Sequence, residues 1–235
     1  MPEASPLTPK LRQAGAVIGT RHGRSVAIHF GSAAGELAAC LRGVGLVERS
    51  DLGLLGVEAP PDRLDDVIAR LAGAPLSVGG VAAVGDGWWC RVADREALVV
   101  CPLDVAPRRM RQLHDESHRT TGLAVRDRSG ELSAIGVVGR ATPRLLAALG
   151  AYGEHADPRR VRPLAPGRLA DAEILWLLQS DESALALVAP DAVRAAWDAI
   201  DQAGREFGLS YVGTEAAARL SVAAALRARS AAATA

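Results

Sequence analysis

From residue 52 onward the chain switches between two hydrophobic periods. Leu52 to Val57 is a short apolar run followed by Pro60 and Pro61, where proline ends strand pairing and opens a turn, so it predicts a strand. From Asp62 the apolar positions are Leu64, Val67, Ile68 and Leu71, the three-and-four spacing that puts one stripe on a helix, and Gly73 stops it. Trp88 to Val92 and Ala97 to Cys101 flank a charged turn and predict a hairpin. Helix returns from about Val105 to His118, and Ala124 to Arg128 supplies a closing strand.

The order then repeats. Leu132 to Val138 predicts a strand and Thr142 to Leu149 a helix. Ile174 to Leu178 and Ala184 to Val188 predict a hairpin around Ser180, Asp181 and Glu182, and Ala192 to Phe207 is a long amphipathic helix. Gly56-Val57 matches Gly136-Val137, and the stretch Asp94 to Pro102 matches Asp181 to Pro190, at similar offsets, as one unit copied once would give. The reading is an α+β chain built from two tandem βαββαβ, ferredoxin-like, units that bury their sheets against each other and against helices. Its divisions are an N-terminal segment completing the core (1–51), a first unit (52–128), a second unit (129–220) and a peripheral helical tail (221–235). Gly153 to Gly167, with Pro158, Pro163 and Pro166, predicts an irregular surface connection.

Composition narrows the partners. Lysine plus arginine number 27 and aspartate plus glutamate number 27, so no net field draws the chain to nucleic acid or to an anionic membrane. The expected partner is a small-molecule ligand or a protein. All the basic residues but Lys10 are arginine, which weakens any single arginine as a sign of an anion site. Cys40, Cys90 and Cys101 sit in or beside apolar runs without metal-knuckle spacing, the opening residues lack a secretory pattern, and no stretch reaches the roughly 20 apolar residues of a membrane span. A cytoplasmic location is the expectation.

Several residues carry candidate chemistry. Trp88 and Trp89 are adjacent on a strand and must point to opposite faces, so one at most faces a cavity. Asp86 lies between glycines ahead of them. His29 is flanked by Ile28 and Phe30, as a core or cavity histidine would be. His114 and His118 have a helical spacing that suits zinc, but without a third ligand they read as a solvated helix end, and no metal is expected. Gly19 to Arg24 reads as a surface hairpin before an anion cradle, and Cys101 as a buried thiol before a nucleophile.

The runs Ser5-Pro6-Leu7 and Gly15-Ala16-Val17, then Glu36-Leu37-Ala38 and Gly45 to Gly53, resemble the start of the glycine-cleavage T-protein, an aminomethyltransferase whose signature here is Gly-Leu-Phe-Asp-x-Ser-His-x-Gly. The resemblance continues through Gly79-Gly80, Leu98 to Val100, Val125 to Arg128 and Val188 to Leu220. It extends to the gamma subunit of heterotetrameric sarcosine oxidase. It implies two units packed around a central cavity that holds tetrahydrofolate, without the family's C-terminal barrel. The family's Gly-Gly-x-x-Asp-Asp carboxylate falls on Asp86, its acidic pterin-gripping segment on Asp181 and Glu182, and its later arginine on Arg219, while Asp51 replaces the signature histidine and Glu215 an arginine. The implied function is a tetrahydrofolate-binding, aminomethyltransferase-like protein assisting one-carbon transfer. Asp86 would orient charge, Trp88 or Trp89 would wall the ligand, and Asp181, Glu182, Arg219 and His29 would contact it. Two alternatives keep the fold: a non-catalytic subunit of a flavin-dependent amine oxidase complex, and a repurposed enzyme of specialised metabolism that no longer uses folate.

Overall fold

The computed structural model describes residues 3–152 and 162–220. The chain opens with β1 (Glu3–Ala4), α1 (Thr8–Gln13), the hairpin β2 (Val17–Arg21) and β3 (Arg24–His29), α2 (Ala33–Arg42) and β4 (Val44–Glu48). The first unit runs β5 (Leu52–Glu58), α3 (Pro61–Ala72), β6 (Val81–Val84), β7 (Gly87–Ala93), β8 (Glu96–Pro102), α4 (Ala106–Arg119) and β9 (Ala124–Asp127). The second runs β10 (Ser133–Val138), α5 (Thr142–Ala148), β11 (Leu164–Leu169), β12 (Ala172–Ser180), β13 (Ser183–Val188), α6 (Val193–Gly204), a short 3-10 turn and β14 (Leu209–Tyr211). A helix, α7, follows over 214–220.

The strands form a small sheet β1-β3-β2, a first-unit sheet β6-β7-β8-β5-β9 and a second-unit sheet β11-β12-β13-β10-β4-β14; none closes into a barrel among the described residues. The two units repeat each other down to the register. Gly56 of β5 lies opposite Leu98 of β8, and Gly136 of β10 lies opposite Leu185 of β13, the same residues that the sequence match had aligned. Each glycine makes room for the strand on its other side. A Cβ on Gly56 would come 2.8 Å from the Arg128 side chain, just past the end of β9, and one on Gly136 would come 2.6 Å from Val47 of β4. In the second unit the strand beside the first strand is therefore β4, from the N-terminal segment. β14 pairs outside it, parallel to β4.

Four side-chain layers follow from the strand alternation. Leu55, Val57, Trp89 and Val99 face α3 and α4, where Leu64, Val67, Ile68 and Leu113 meet them. Leu52, Leu54, Leu98 and Val100 face Leu177, Leu185 and Leu187 of the other unit. On the far side Ile135, Val137, Trp176 and Ala186 pack against α5 and α6, with Leu145, Trp197 and Ile200, and against α1, with Leu11. Val47 and Val138 are covered by Leu37 and Cys40 of α2 and by Ala216, Ala217 and Leu220 of α7. The first unit's helix ends as its residues dictate: Gly73 takes a left-handed φ of 91° and donates its N–H to the Ala69 carbonyl.

One stretch departs from expectation. Residues 164–167 are not irregular but begin β11, an edge strand in which Pro166 sits opposite Leu175; an edge tolerates a residue without an N–H. Of the rest of the expected connection, 162–163 form no strand or helix and 153–161 lie outside the described residues, as does the expected tail helix, 221–235. Among the described residues no helix is long and apolar enough to cross a membrane.

Candidate functional site

The central cavity expected between the units is not what the fold shows among the described residues: buried leucines and Val100 fill the inter-sheet layer, and a cleft lies at its margin, where β4 turns into β5 and β9 turns into β10. Leu52, Leu54, Leu132 and Ala134 form its apolar floor and are continuous with the inter-sheet core. Its volume is about 200 Å³, and its polar walls are Ser5, Arg24, Arg49, Ser50, Ser129 and Ser133. Local bonding fixes these walls. The Arg49 N–H donates to the Ala134 carbonyl at 2.9 Å, and its guanidinium grips both oxygens of Asp51 at 2.7 and 3.1 Å. Ser129 accepts from the Leu54 N–H at 2.9 Å, while its own N–H donates to Asp127 at 2.8 Å. Arg24 starts β3, where Glu3 and Ala4 pair with it and with Ser25.

Behind this cleft stands Glu48, the last residue of β4. It is 3 % exposed, its Oε1 accepts from the Ser50 hydroxyl, and its Oε2 is buried without a hydrogen-bond partner. Ser5 faces the carboxyl without closing an aligned hydrogen bond. Burial pushes this carboxyl above its ordinary value; the Ser50 and Ser5 hydroxyls pull it back in part, and the Asp51 charge pushes it further up. A raised carboxyl favours folding fully below its unfolded value of 4.5, and that contribution drains away as pH rises from there through the folded value. Glu48→Gln should therefore gain stability relative to the parent chain as pH rises above 4.5. Urea unfolding of both proteins at each pH measures the difference, and a pH-independent difference would refute the assignment.

The residues singled out from the sequence are spread over the fold, and none lines this cleft. Asp86 is exposed at the tip of the β6–β7 hairpin; beside it Arg109 donates to the Val84 carbonyl at 3.1 Å. Trp88 is half-buried in the inter-sheet layer and Trp89 is buried against α3 and α4, opposite faces as the strand period requires. Asp181 and Glu182 form the β12–β13 turn, where the Glu182 carbonyl accepts from the Gly139 N–H at 2.8 Å. Glu182 also lines a second cleft of about 330 Å³ with Cys40, Leu41, Gly139, Arg140 and Leu220. Arg219, next to Leu220, is exposed and donates to Glu215 at 3.3 Å within α7. His29 ends β3, its Nδ1 accepting from the Gly31 N–H at 3.2 Å.

His114 and His118 are both exposed on α4, and Cys101 is buried with its thiol pushed up to about 11. What the sequence reading passed over is the group formed by Ser5, Arg24, Glu48, Arg49, Ser50 and Ser129. One signal for it was present: the apolar run from Val44 to Val47 ends in the charged and hydroxyl-bearing stretch Glu48-Arg49-Ser50-Asp51.

No family model matches the sequence, and no curated protein does. Solved structures do. The glycine cleavage system aminomethyltransferase T from Bartonella henselae superposes with a TM-score of 0.70 at 17% identity, covering 92% of this chain and 61% of that one. The chain thus spans under two thirds of that protein's length. A chain of heterotetrameric sarcosine oxidase from Corynebacterium sp. U-96 superposes with a TM-score of 0.58 at 21% identity, covering 76% of this chain and 93% of that one. From the duplicated βαββαβ register to these superpositions, the chain has the T-protein-like fold shared with an aminomethyltransferase and a sarcosine oxidase chain.

Proposed function

We propose that this chain is a tetrahydrofolate-binding, aminomethyltransferase-like protein that takes the flat head of its ligand into the Ser5–Arg49–Ser129 cleft. The observation behind this reading is the cleft itself: an apolar floor with hydroxyls and guanidinium groups on its rim, in a T-protein-like fold. Sites that bury a whole drug-sized ligand hold about 300–1,000 Å³, so one of about 200 Å³ suits a bicyclic head group with its tail left outside. The residues present fit such a head. Leu52, Leu54 and Leu132 offer it an apolar surface, and Ser5, Ser50, Ser129 and Ser133 offer hydroxyls that donate or accept.

When bound, tetrahydrofolate supplies the nitrogens that accept a one-carbon unit. The chain's own groups bind and orient it, and the inter-sheet layer keeps water from the floor. Glu48, its carboxyl pushed up by burial, accepts from the Ser50 hydroxyl on the cleft wall. Asp86, on its exposed hairpin, would act only on a ligand reaching the other margin of the first-unit sheet.

Isothermal titration calorimetry with tetrahydrofolate under reducing conditions tests the reading. Arg49→Ala should weaken binding by about tenfold, near 1.4 kcal/mol, and Asp86→Ala by under about twofold. Absence of heat at millimolar ligand would sink it. If Asp86→Ala instead gives the larger loss, the ligand belongs at the hairpin.

A second reading is favoured by one specific observation. The chain of heterotetrameric sarcosine oxidase is matched over 93% of its length, so a subunit role in a flavin-dependent amine-oxidising assembly accounts for the same fold. Affinity capture of the tagged chain from its native lysate should then bring down a yellow flavoprotein in fixed ratio.

A further inference from the structure

The serines of the cleft do not all offer a ligand the same thing. A hydroxyl has one proton to give and two lone pairs to receive with, so each bond it already makes fixes what remains. Ser50 gives its proton to Glu48 Oε1. That direction holds in either charge state of the acid. The carboxylate has no proton, and the neutral acid keeps Oε1 as its acceptor when the proton sits on Oε2, the oxygen without a partner. Toward the cleft, Ser50 is therefore an acceptor.

Ser129 is the converse. Its oxygen receives the Leu54 N–H at 2.9 Å, and its own N–H is held by Asp127 at 2.8 Å, so the residue is fixed from two sides. Its hydroxyl proton has no acceptor among the described residues, although the residue is only 8 % exposed. A buried hydroxyl requires an acceptor, and the cleft that Ser129 lines is the side left open. Ser129 is therefore a donor. The cations on the walls add to its side of the pattern and not to that of Ser50, because a guanidinium only donates. Arg49 has Nε and Nη2 on Asp51, so its charge is met within the protein and only the Nη1 protons remain.

We propose that the cleft selects a neutral ring edge on which a donor sits beside an acceptor, as in a cyclic amide, with the ring N–H on Ser50 and the C=O on Ser129, and that Glu48 is the positioning residue that makes Ser50 an acceptor. Both serines line one space of about 200 Å³, with room for a bicyclic head and little more, so a single ring edge meets both. The inference rests on the reading of this cleft as the binding site. A cyclic amide edge belongs to the ring of tetrahydrofolate and to other flat heterocycles alike, so the edge pattern and the folate reading fail separately.

Isothermal titration calorimetry on the full chain tests this with pterin, the bare ring that has the amide edge, and with its O-methyl ether, in which the ring nitrogen turns from donor to acceptor and the C=O is lost. The parent chain should bind pterin about tenfold more tightly than the ether, Ser50→Ala should bring the two within about threefold, and Ser50→Thr, which keeps the hydroxyl, should restore the difference. Glu48→Leu frees the Ser50 proton to turn toward the cleft, so it should narrow the ratio by tightening the ether. A loss shared equally by both ligands would reduce Glu48 to a structural role and overturn its part. Equal affinities in the parent, or an unchanged ratio in Ser50→Ala, would overturn the edge pattern, and tetrahydrofolate binding would then leave the folate reading in place. Ser50→Ala keeps the test open if Glu48→Leu does not fold. If pterin and its ether behave as expected while tetrahydrofolate gives no heat, the edge pattern stands and the folate reading falls; if none of the three binds, both fall.

Discussion

Gly213→Ala should leave the chain unable to assemble its N-terminal layer. A Cβ at this position would sit 1.9 Å from the Ile28 carbonyl oxygen, 2.2 Å from its carbon and 2.5 Å from the His29 nitrogen, all of them backbone atoms with no rotamer to yield. The conflict falls on a joint that the sequence builds with care. Glu36, in the first turn of α2, accepts from the Phe30 N–H at 2.6 Å and from the Gly213 N–H at 2.7 Å, so one carboxylate ties the end of β3 to the start of α7. Thr214 adds a bond to the Ala27 carbonyl at 3.2 Å. Opening the joint far enough for a methyl group breaks both Glu36 bonds, which are charge-assisted, and strands the carboxylate at 7 % exposure.

Overpacking together with those lost bonds should cost about 4 kcal/mol or more, a large share of the 5–15 kcal/mol a domain of ordinary stability has to lose. Gly35→Ala is the matched control: its nearest foreign atom would be 3.8 Å away, so this helical position should be unharmed or slightly stabilised. Urea unfolding followed by tryptophan fluorescence and by far-ultraviolet circular dichroism separates the two. A Gly213→Ala protein within about 1 kcal/mol of the parent would show that the β3–α7 contact is not a fixed joint. The consequence reaches the cleft, because β3 carries Arg24 on the cleft wall and His29 at its other end.

The elements that the sequence predicted well are those whose physics is local. In α3 a stripe of Leu64, Val67, Ile68 and Leu71 ended by Gly73 contains its own start, face and stop. The hairpins β7–β8 and β12–β13 announce themselves through charged turns between apolar runs, and alternation alone placed Trp88 and Trp89 on opposite faces. The duplication was legible because a glycine needed for strand packing recurs opposite the same leucine in both copies.

β4 was illegible for the opposite reason. Every one of its residues is buried, so no polar alternation marks it, and its place between β10 and β14 depends on partners far away in the chain. β11 was hidden by its proline, which only an edge position permits. The candidate cleft is illegible in principle from spacing. Ser5, Arg24, Arg49 and Ser129 come from four separate segments brought together by the small sheet and the two inter-sheet turns. Family alignment pointed instead to Asp86, Asp181 and Glu182, which the fold sets on the tips of two hairpins in different sheets.

The first unit contains a second sensitive point, in the opposite electrostatic sense to Glu48. Arg91 on β7 is 3 % exposed among Trp89 and the α3 side chains, and burying a guanidinium demands a partner. Among the described residues its carboxylate partner is Asp65 of α3, whose Oδ1 is 3.1 Å from Nη1, off the hydrogen-bond direction, while Nη2 bonds the Asp94 carbonyl and Nε has no acceptor. The two members of the pair are unequal, because the Asp65 side chain is 48% exposed and the Arg91 side chain 4%. Removing the carboxylate leaves a buried cation uncompensated. Removing the guanidinium leaves a carboxylate that water can solvate.

Asp65→Asn should therefore cost about 3 kcal/mol, at the lower end of what breaking a buried pair costs since Asp65 is half in water, and Arg91→Met only about 1 kcal/mol, because methionine refills the space of the aliphatic stem. The double variant should be more stable than Asp65→Asn alone: with no buried charge left to compensate, the loss of Asp65 becomes that of an ordinary surface residue. A double-mutant cycle by urea unfolding measures this coupling directly. Equal costs for the two single variants, or simple additivity in the double, would mean that Arg91 draws its compensation from the Asp94 carbonyl and the sheet backbone, and that the first unit does not depend on the ion contact between β7 and α3.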